Sequence, residues 1–111
     1  MGLSTHVLDT ALGRPAAGIA LQLSRSEGDR WIEVGRGETD ADGRCRTLLG
    51  EAPLQSATYR LRFEVDAYFH AQGLASLYPF VEIIFRVIDP AQHYHIPLLA
   101  TANGYTTYRG S

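Results

Sequence analysis

The sequence predicts an all-β domain, a two-sheet β-sandwich of about eight short strands with one short helix. Apolar and polar residues alternate with period two in run after run, whereas helical spacing occurs once. Gly-, Pro- and Asp-containing turn signals separate those runs at short intervals. A length of 111 residues provides for one core and not two, so residues 1–111 are read as a single domain.

Taken in order, "LSTHVLD" and "IALQLSRSE" read as strands joined by the loop "GRPAAG". "EGDR" turns the chain into "WIEVGRGE", and "TDADGRC" turns it again toward "RTLL". The clearest alternation is "YRLRFEVD", with Tyr59, Leu61, Phe63 and Val65 on one face and Arg60, Arg62, Glu64 and Asp66 on the other. "DAYFHAQGLASLY" breaks it and suits the helix, which Pro79 is expected to stop. In "FVEIIFRVI", Val81, Ile83, Phe85 and Val87 face inward; Ile84 and Ile88 fall on the outward face, which hints at a subunit interface. "HYHIPLLA" and "YTTYRG" read as the last two strands around an Asn103-Gly104 turn. Pro97 suggests that the first of these is an edge strand or carries a bulge.

Composition removes several classes of function. Apolar residues make up 45% and charged residues 20%, the balance of a packed domain and not of a disordered chain. All ten basic residues are arginines, scattered along a chain of formal charge −2, so nucleic acid is not expected as a partner. Chemistry that needs a lysine is excluded. A single cysteine, Cys45, leaves no internal disulfide and fits a reducing compartment. The opening residues lack a basic segment followed by an apolar run, and Gly2 has no Ser or Thr at position 6 for a myristoylation signal. "YPFVEIIFRVI" is too short and too charged to span a bilayer. The expectation is a cytoplasmic protein without a membrane partner.

Chemistry must then come from isolated polar residues. His93 and His95, two apart on a strand, project from one face together with Leu99, opposite Tyr94, Ile96 and Leu98. His6 shares parity with Ser4 and Leu8; His70 lies in the helical segment and is read as structural. Three chemistries compete for such a face. His6, His93 and His95 could bind zinc with an open position for water. Cys45, between Arg44 and Arg46, could be an activated thiol. A neutral imidazole could activate water while a guanidinium stabilises an oxyanion, without any metal.

Three stretches bear on that choice: "LSTHVLDTALGRPAAGIALQL", "TDADGR" and "HYHIPLL...GYTTYRGS". Together they resemble the transthyretin-related family of 5-hydroxyisourate hydrolases, essentially from end to end, and the terminal Tyr-Arg-Gly-Ser is the most specific part. It separates the hydrolases from the hormone-carrying transthyretins. The resemblance implies two four-stranded sheets with one short helix, assembled as a homotetramer, a dimer of dimers, with active sites in the channel where dimers meet. The implied reaction is hydrolytic opening of the cyclic amide of 5-hydroxyisourate, in urate breakdown, to 2-oxo-4-hydroxy-4-carboxy-5-ureidoimidazoline, with no cofactor and no metal.

Carried onto this chain, the resemblance assigns His6, Arg44, His95 and Ser111 to catalysis, and His6, Arg44, Tyr108, Arg109 and Gly110 to substrate binding. Arg44 would hold the substrate's oxygens, and His6 and His95 would divide proton removal and delivery, in an order left open. Arg109 could equally hold the tail in place, and His93 is a possible supporting residue. A transthyretin-like carrier of a small aromatic ligand and a purely structural sandwich are the competing readings.

Overall fold

The structure, a computed structural model, describes residues 2–111. Its strands are β1 (Leu3–Asp9), β2 (Arg14–Pro15), β3 (Ala20–Glu27), β4 (Arg30–Glu38), β5 (Arg44–Cys45), β6 (Ala57–Phe63), β7 (Val81–Val87), β8 (Tyr94–Thr101) and β9 (Gly104–Thr107), with one helix, α1 (Val65–His70). They form two sheets. One runs β4-β3-β6-β7, entirely antiparallel. In the other, β8 lies between β1, its parallel neighbour, and β9, while the two-residue strands β2 and β5 both pair with β1. The second sheet therefore differs from the expected four strands: β1, β8 and β9 are joined by an edge broken into the two-residue strands β2 and β5.

Alternation accounts for the sandwich. Along β1, Leu3, Thr5, Val7 and Asp9 are buried and Ser4, His6 and Leu8 are half-buried on the outer face. Tyr59, Leu61 and Phe63 of β6, Val81, Ile83 and Val87 of β7, and Tyr94, Ile96 and Leu98 of β8 fill the space between the sheets. Two polar residues on the inner face have all the partners they need. Thr5 Oγ1 donates to Ile96 O at 2.6 Å. Asp9 accepts the N–H groups of Ala11 and Leu12 on Oδ1, and the Tyr68 hydroxyl on Oδ2 at 2.8 Å, which ties α1 to β1. Burial first, and then that bond to Asp9, holds the Tyr68 hydroxyl above its usual pKa.

The local chain departs from the sequence expectation in four places, each for an identifiable reason. Val65 starts α1 and does not end a strand; with Phe69 it makes an i, i+4 buried pair, and one apolar residue at the end of an alternating run satisfies both periods. The helix stops well before Pro79, where Gly73 N bonds His70 O and Leu74 N bonds Phe69 O, the paired closure of a Schellman motif. "RTLL" is not a strand: only Arg44 and Cys45 pair, and Leu48 and Leu49 are apolar because a following turn drops them into the core. The final hairpin turns on residues 102 and 103, one position earlier than the Asn-Gly signal, and Thr101 Oγ1 closes it by accepting Asn103 N and donating to Gly104 O.

Pro97 also sits differently from its sequence reading, in an interior strand. The proline leaves a gap in the β8–β9 ladder, and Thr107 Oγ1 donates to its carbonyl at 2.7 Å. Beyond the gap the ladder resumes as a bridge between His95 and Gly110, which continues the register of Leu98 with Thr107. Ile84 and Ile88 are exposed, as the alternation implied. Among the described residues no helix is long and apolar enough to cross a membrane.

Candidate active site

The outer face of β1 and β8 gathers residues from four separated segments. Across β1 and β5, His6 is the register partner of Arg44; across β1 and β8, Ser4 is the partner of His95. The tail reaches the same place through the bridge from Gly110 to His95. An open cavity of about 410 Å³ adjoins this face, lined by Leu3, Ser4, Thr5, Arg44, Arg46 and His93; His6, His95 and the tail are not part of its lining. A larger hollow of about 520 Å³, around Leu49–Leu54 and Pro90, has Glu51 as its one ionisable side chain and offers no acid–base pair.

Arg44 owes its position to the turn "TDADGR". Asp40 Oδ1 accepts the N–H groups of Asp42 at 2.9 Å and Arg44 at 3.0 Å, and Gly43 N donates to Asp40 O. Those backbone bonds, that of Arg44 foremost, and the charges of Arg46 and Arg44 hold the Asp40 carboxyl below its usual pKa. Gly43 adopts φ +76°, and a Cβ there would run into the carbonyl of Val7. That close approach lets Val7 N donate to Gly43 O at 2.7 Å and seats β5 on the edge of β1. The same turn presents Asp42 O to His6, whose Nε2–H donates to it at 2.9 Å. One turn thus fixes the guanidinium strand and leaves Nδ1 as the free ring nitrogen of the first histidine.

His95 is held from three sides. Its Nδ1 is 2.8 Å from Ser4 Oγ, which is also 2.8 Å from His93 Nε2. Its carbonyl accepts Gly110 N at 2.8 Å. Gly110 also lies flat against the ring, so close that a Cβ would overlap Cδ2 and stand 3.1 Å from Cγ. Burial, and then electrostatic repulsion from Arg44 and from the neighbouring imidazoles of His6 and His93, lower the His95 pKa below its ordinary 6.5. With Nδ1 committed to Ser4, the free nitrogen of this neutral ring is Nε2, next to the Cδ2 edge that Gly110 covers.

Parity divides the tail. Tyr108 and Gly110 fall on the outer face with Pro97 and His95, whereas Arg109 falls on the opposite face and stays exposed. Its guanidinium lies 4.3 Å from the Tyr94 ring centroid and donates to Gln92 Oε1 at 3.0 Å. Arg109 therefore clamps the tail in this conformation, through an aromatic ring and an amide and not through an ion pair. Tyr108 and Ser111 are exposed.

The other two chemistries fit the geometry less well. The Cys45 side chain is buried, with Sγ 3.8 Å from Thr47 Oγ1 and Arg44 and Arg46 outside it. His6, His93 and His95 turn ring nitrogens to a carbonyl and to one hydroxyl, and among the described residues no group of three His, Cys, Asp or Glu is arranged to hold a metal. Residue-by-residue reading of the sequence assigned no site role to Ser4, Asp40, Asp42 or Gly43. The signals were present, in Ser4's shared parity with His6 and in an Asp-x-x-Gly turn directly before Arg44.

The family model described as "HIUase/Transthyretin family" matches residues 3–110. The 5-hydroxyisourate hydrolase of Mus musculus is 45% identical, over 98% of this chain and 94% of its own. That of Caulobacter vibrioides is also 45% identical, over 99% and 98%. Among solved structures, Klebsiella pneumoniae 5-hydroxyisourate hydrolase superposes with a TM-score of 0.86 at 38% identity, covering 98% of this chain and 97% of that one. Sea bream transthyretin in complex with thyroxine superposes with a TM-score of 0.92 at 31% identity, covering 99% and 95%. On fold and on sequence, the chain belongs to the HIUase/Transthyretin family.

Proposed function

We propose that this chain is an enzyme, a 5-hydroxyisourate hydrolase, and that its reaction proceeds without a metal. The observation that carries the reading is the convergence of His6, Arg44, His95 and the Gly110 tail on one outer sheet face. It is supported by the name that the most similar curated relatives bear. Transthyretin shares the fold, so fold likeness does not decide between hydrolase and carrier; a face set with imidazoles and a guanidinium suits a polar heterocycle undergoing attack better than a carried apolar ligand.

His95, held neutral, takes a proton from water through Nε2 as the water oxygen attacks the ring carbonyl. Negative charge develops on the carbonyl oxygen, and the fork of Arg44 stabilises it. The C–N bond of the cyclic amide then breaks, and His6, entering this step as the imidazolium with Nε2–H on Asp42 O, gives its Nδ1 proton to the departing nitrogen and regains one from solvent. Tyr108 and Ser111 contact the substrate from the tail, Gly110 packs His95 into position, and Arg109 anchors the tail from the opposite face. Assembly into a dimer of dimers covers this open face, turning the cavity into a channel; exposed Ile84 and the unpaired edges of β7 and β9 are the surfaces that would associate.

The test is to generate 5-hydroxyisourate in the cuvette by oxidising urate and to follow its ultraviolet absorbance with and without the protein after exhaustive chelation. Accelerated decay that survives chelation is expected. Decay at the spontaneous rate would leave a binding module, and activity lost on chelation would restore the metal chemistry.

A further inference from the structure

Ser4 stands between two histidines, and its geometry imposes a rule on them. Its hydroxyl is within hydrogen-bonding distance of His95 Nδ1 and His93 Nε2 but carries only one proton. While both rings are neutral and the Ser4 proton lies between them, Ser4 donates to one and accepts from the other, so the chain from His95 through Ser4 to His93 has two opposite polarities. In the first, His95 Nδ1–H donates to Ser4 and Ser4 donates to His93 Nε2, which leaves His95 Nε2 as a lone pair. In the second, His93 Nε2–H donates to Ser4, Ser4 donates to His95 Nδ1, and His95 carries its proton on Nε2.

We propose that Ser4 and His93 form a proton relay that switches between these polarities during turnover. As His95 Nε2 takes a proton from water, the Nδ1 proton passes to Ser4 Oγ and the Ser4 proton passes to His93 Nε2. Three protons move one place each, His95 stays neutral, and the positive charge appears on His93. The source of the first proton rests on the hydrolase reading; the switch itself belongs to the three side chains.

The surroundings favour that destination for the charge. His95 is half-buried, with His6 facing it from β1, Arg44 from β5 and the tail bridge on its other side. Arg46 lines the same cavity but is paired with Asp40 at 3.7 Å. An imidazolium at His95 would meet positive charge with little water to screen it. His93 lines the cavity with Arg44 and Arg46, but it is exposed in the loop before β8, so water screens a cation there better than at half-buried His95, and Arg109 meets its backbone carbonyl at 3.4 Å. The lowered pKa of His95 agrees with this division. Ser4 and His93 act through His95 and are positioning residues.

Nitrogen-15 spectra of the imidazoles, recorded over a series of pH values in the full chain, test the relay without recourse to catalysis. In the wild type His95 should change from the Nδ1–H to the Nε2–H tautomer in the spectra where His93 appears as the imidazolium. Ser4→Thr, which keeps the hydroxyl on a strand-compatible side chain, should preserve that link, and Ser4→Ala should abolish it. A single His95 tautomer throughout, or a change that survives Ser4→Ala, overturns the proposal. In turnover, Ser4→Ala and His93→Gln should each lower kcat by about 10-fold with KM nearly constant, and the double variant should be no worse than the weaker single. Losses that multiply, or singles with unchanged kcat, overturn it as well. A wild type that shows the tautomer change but does not turn over 5-hydroxyisourate would sustain the relay and sink the hydrolase reading.

Discussion

Gly110→Ala is the perturbation whose consequence follows most directly from the geometry. The added methyl would overlap His95 Cδ2 and stand 3.1 Å from Cγ and 3.3 Å from Cβ, where ordinary carbon contacts are about 3.5–4.0 Å. The ring edge must retreat by roughly 1 Å or more to restore that spacing. Its bond from Nδ1 to Ser4, 2.8 Å in the native site, does not survive such a shift with good geometry. Misplacing a reacting group by about 1 Å costs on the order of 10²-fold in rate. Stability should suffer far less, because Gly110 does not occupy the left-handed region and contributes one backbone bond at a chain end. That bond is worth about 1 kcal/mol, a few degrees in Tm.

Gly104→Ala supplies the control on the same final segment. The nearest heavy atom to a Cβ there is Thr101 Oγ1 at 3.9 Å, so the methyl has room. Following 5-hydroxyisourate decay, kcat/KM should fall about 10²-fold for Gly110→Ala and less than about twofold for Gly104→Ala, with both proteins folded by thermal melt. Retention of activity by Gly110→Ala within about threefold, or equal damage from both substitutions, would refute the assignment of Gly110 as the packing surface for the base.

Arg44→Lys keeps the charge but replaces a planar fork with a single point donor, so kcat should drop by about 10²-fold while Tm stays nearly constant; an active lysine variant would show that charge alone is used. Because the folded His95 pKa lies below the ordinary 6.5, the unfolded chain binds a proton that the native chain does not as pH falls below that value. Its contribution to stability is therefore complete above about pH 6.5 and is lost on acidification, so the wild-type Tm should fall more steeply from pH 7 to 5 than that of His95→Gln, and a shallower wild-type slope would contradict the lowered pKa. Sedimentation should give a mass well above one chain, and Ile84→Glu, placing a charge on an isoleucine that is 60% exposed on edge strand β7, should reduce it. An unchanged mass would move the interface elsewhere.

The parts of the fold that were legible in the sequence are those governed by alternation. In "LSTHVLD" the shared parity of Ser4, His6 and Leu8 holds: all three are half-buried on one face and the residues between them are buried. What was not legible depended on tertiary partners. The alternation runs on through Val65, and nothing local reveals that Phe69 will draw it into a helix. Proline 97 looked like an edge because its missing N–H is a local fact, whereas a threonine hydroxyl serving its carbonyl from another strand is not. The site shows the same split. His6, Arg44 and His95 carry their chemistry in their own side chains. Ser4 and Gly110 matter through what they touch, and that appears only when β1, β8 and the tail lie side by side.

Strand alternation also explains how one sandwich can serve both a hydrolase and a carrier. Thr5, Val7, Ile96 and Leu98 hold the two sheets together from the inner face, and the residues between them, Ser4, His6, His95 and Pro97, make no demand on that core. Outward positions can therefore exchange imidazole for apolar side chains while the packing between sheets is preserved, which is consistent with a TM-score of 0.92 to a transthyretin that shares only 31% of the sequence. Two features are not free in this way. The Asp40–Gly43 turn must bring β5 against β1 for Arg44 to meet His6, and the tail must place a residue without a side chain where it crosses His95. The chemistry of this chain is thus written in the turn and the tail as much as in the histidines: transplanting His6, Arg44 and His95 alone onto the same sandwich should leave a base whose ring is not held.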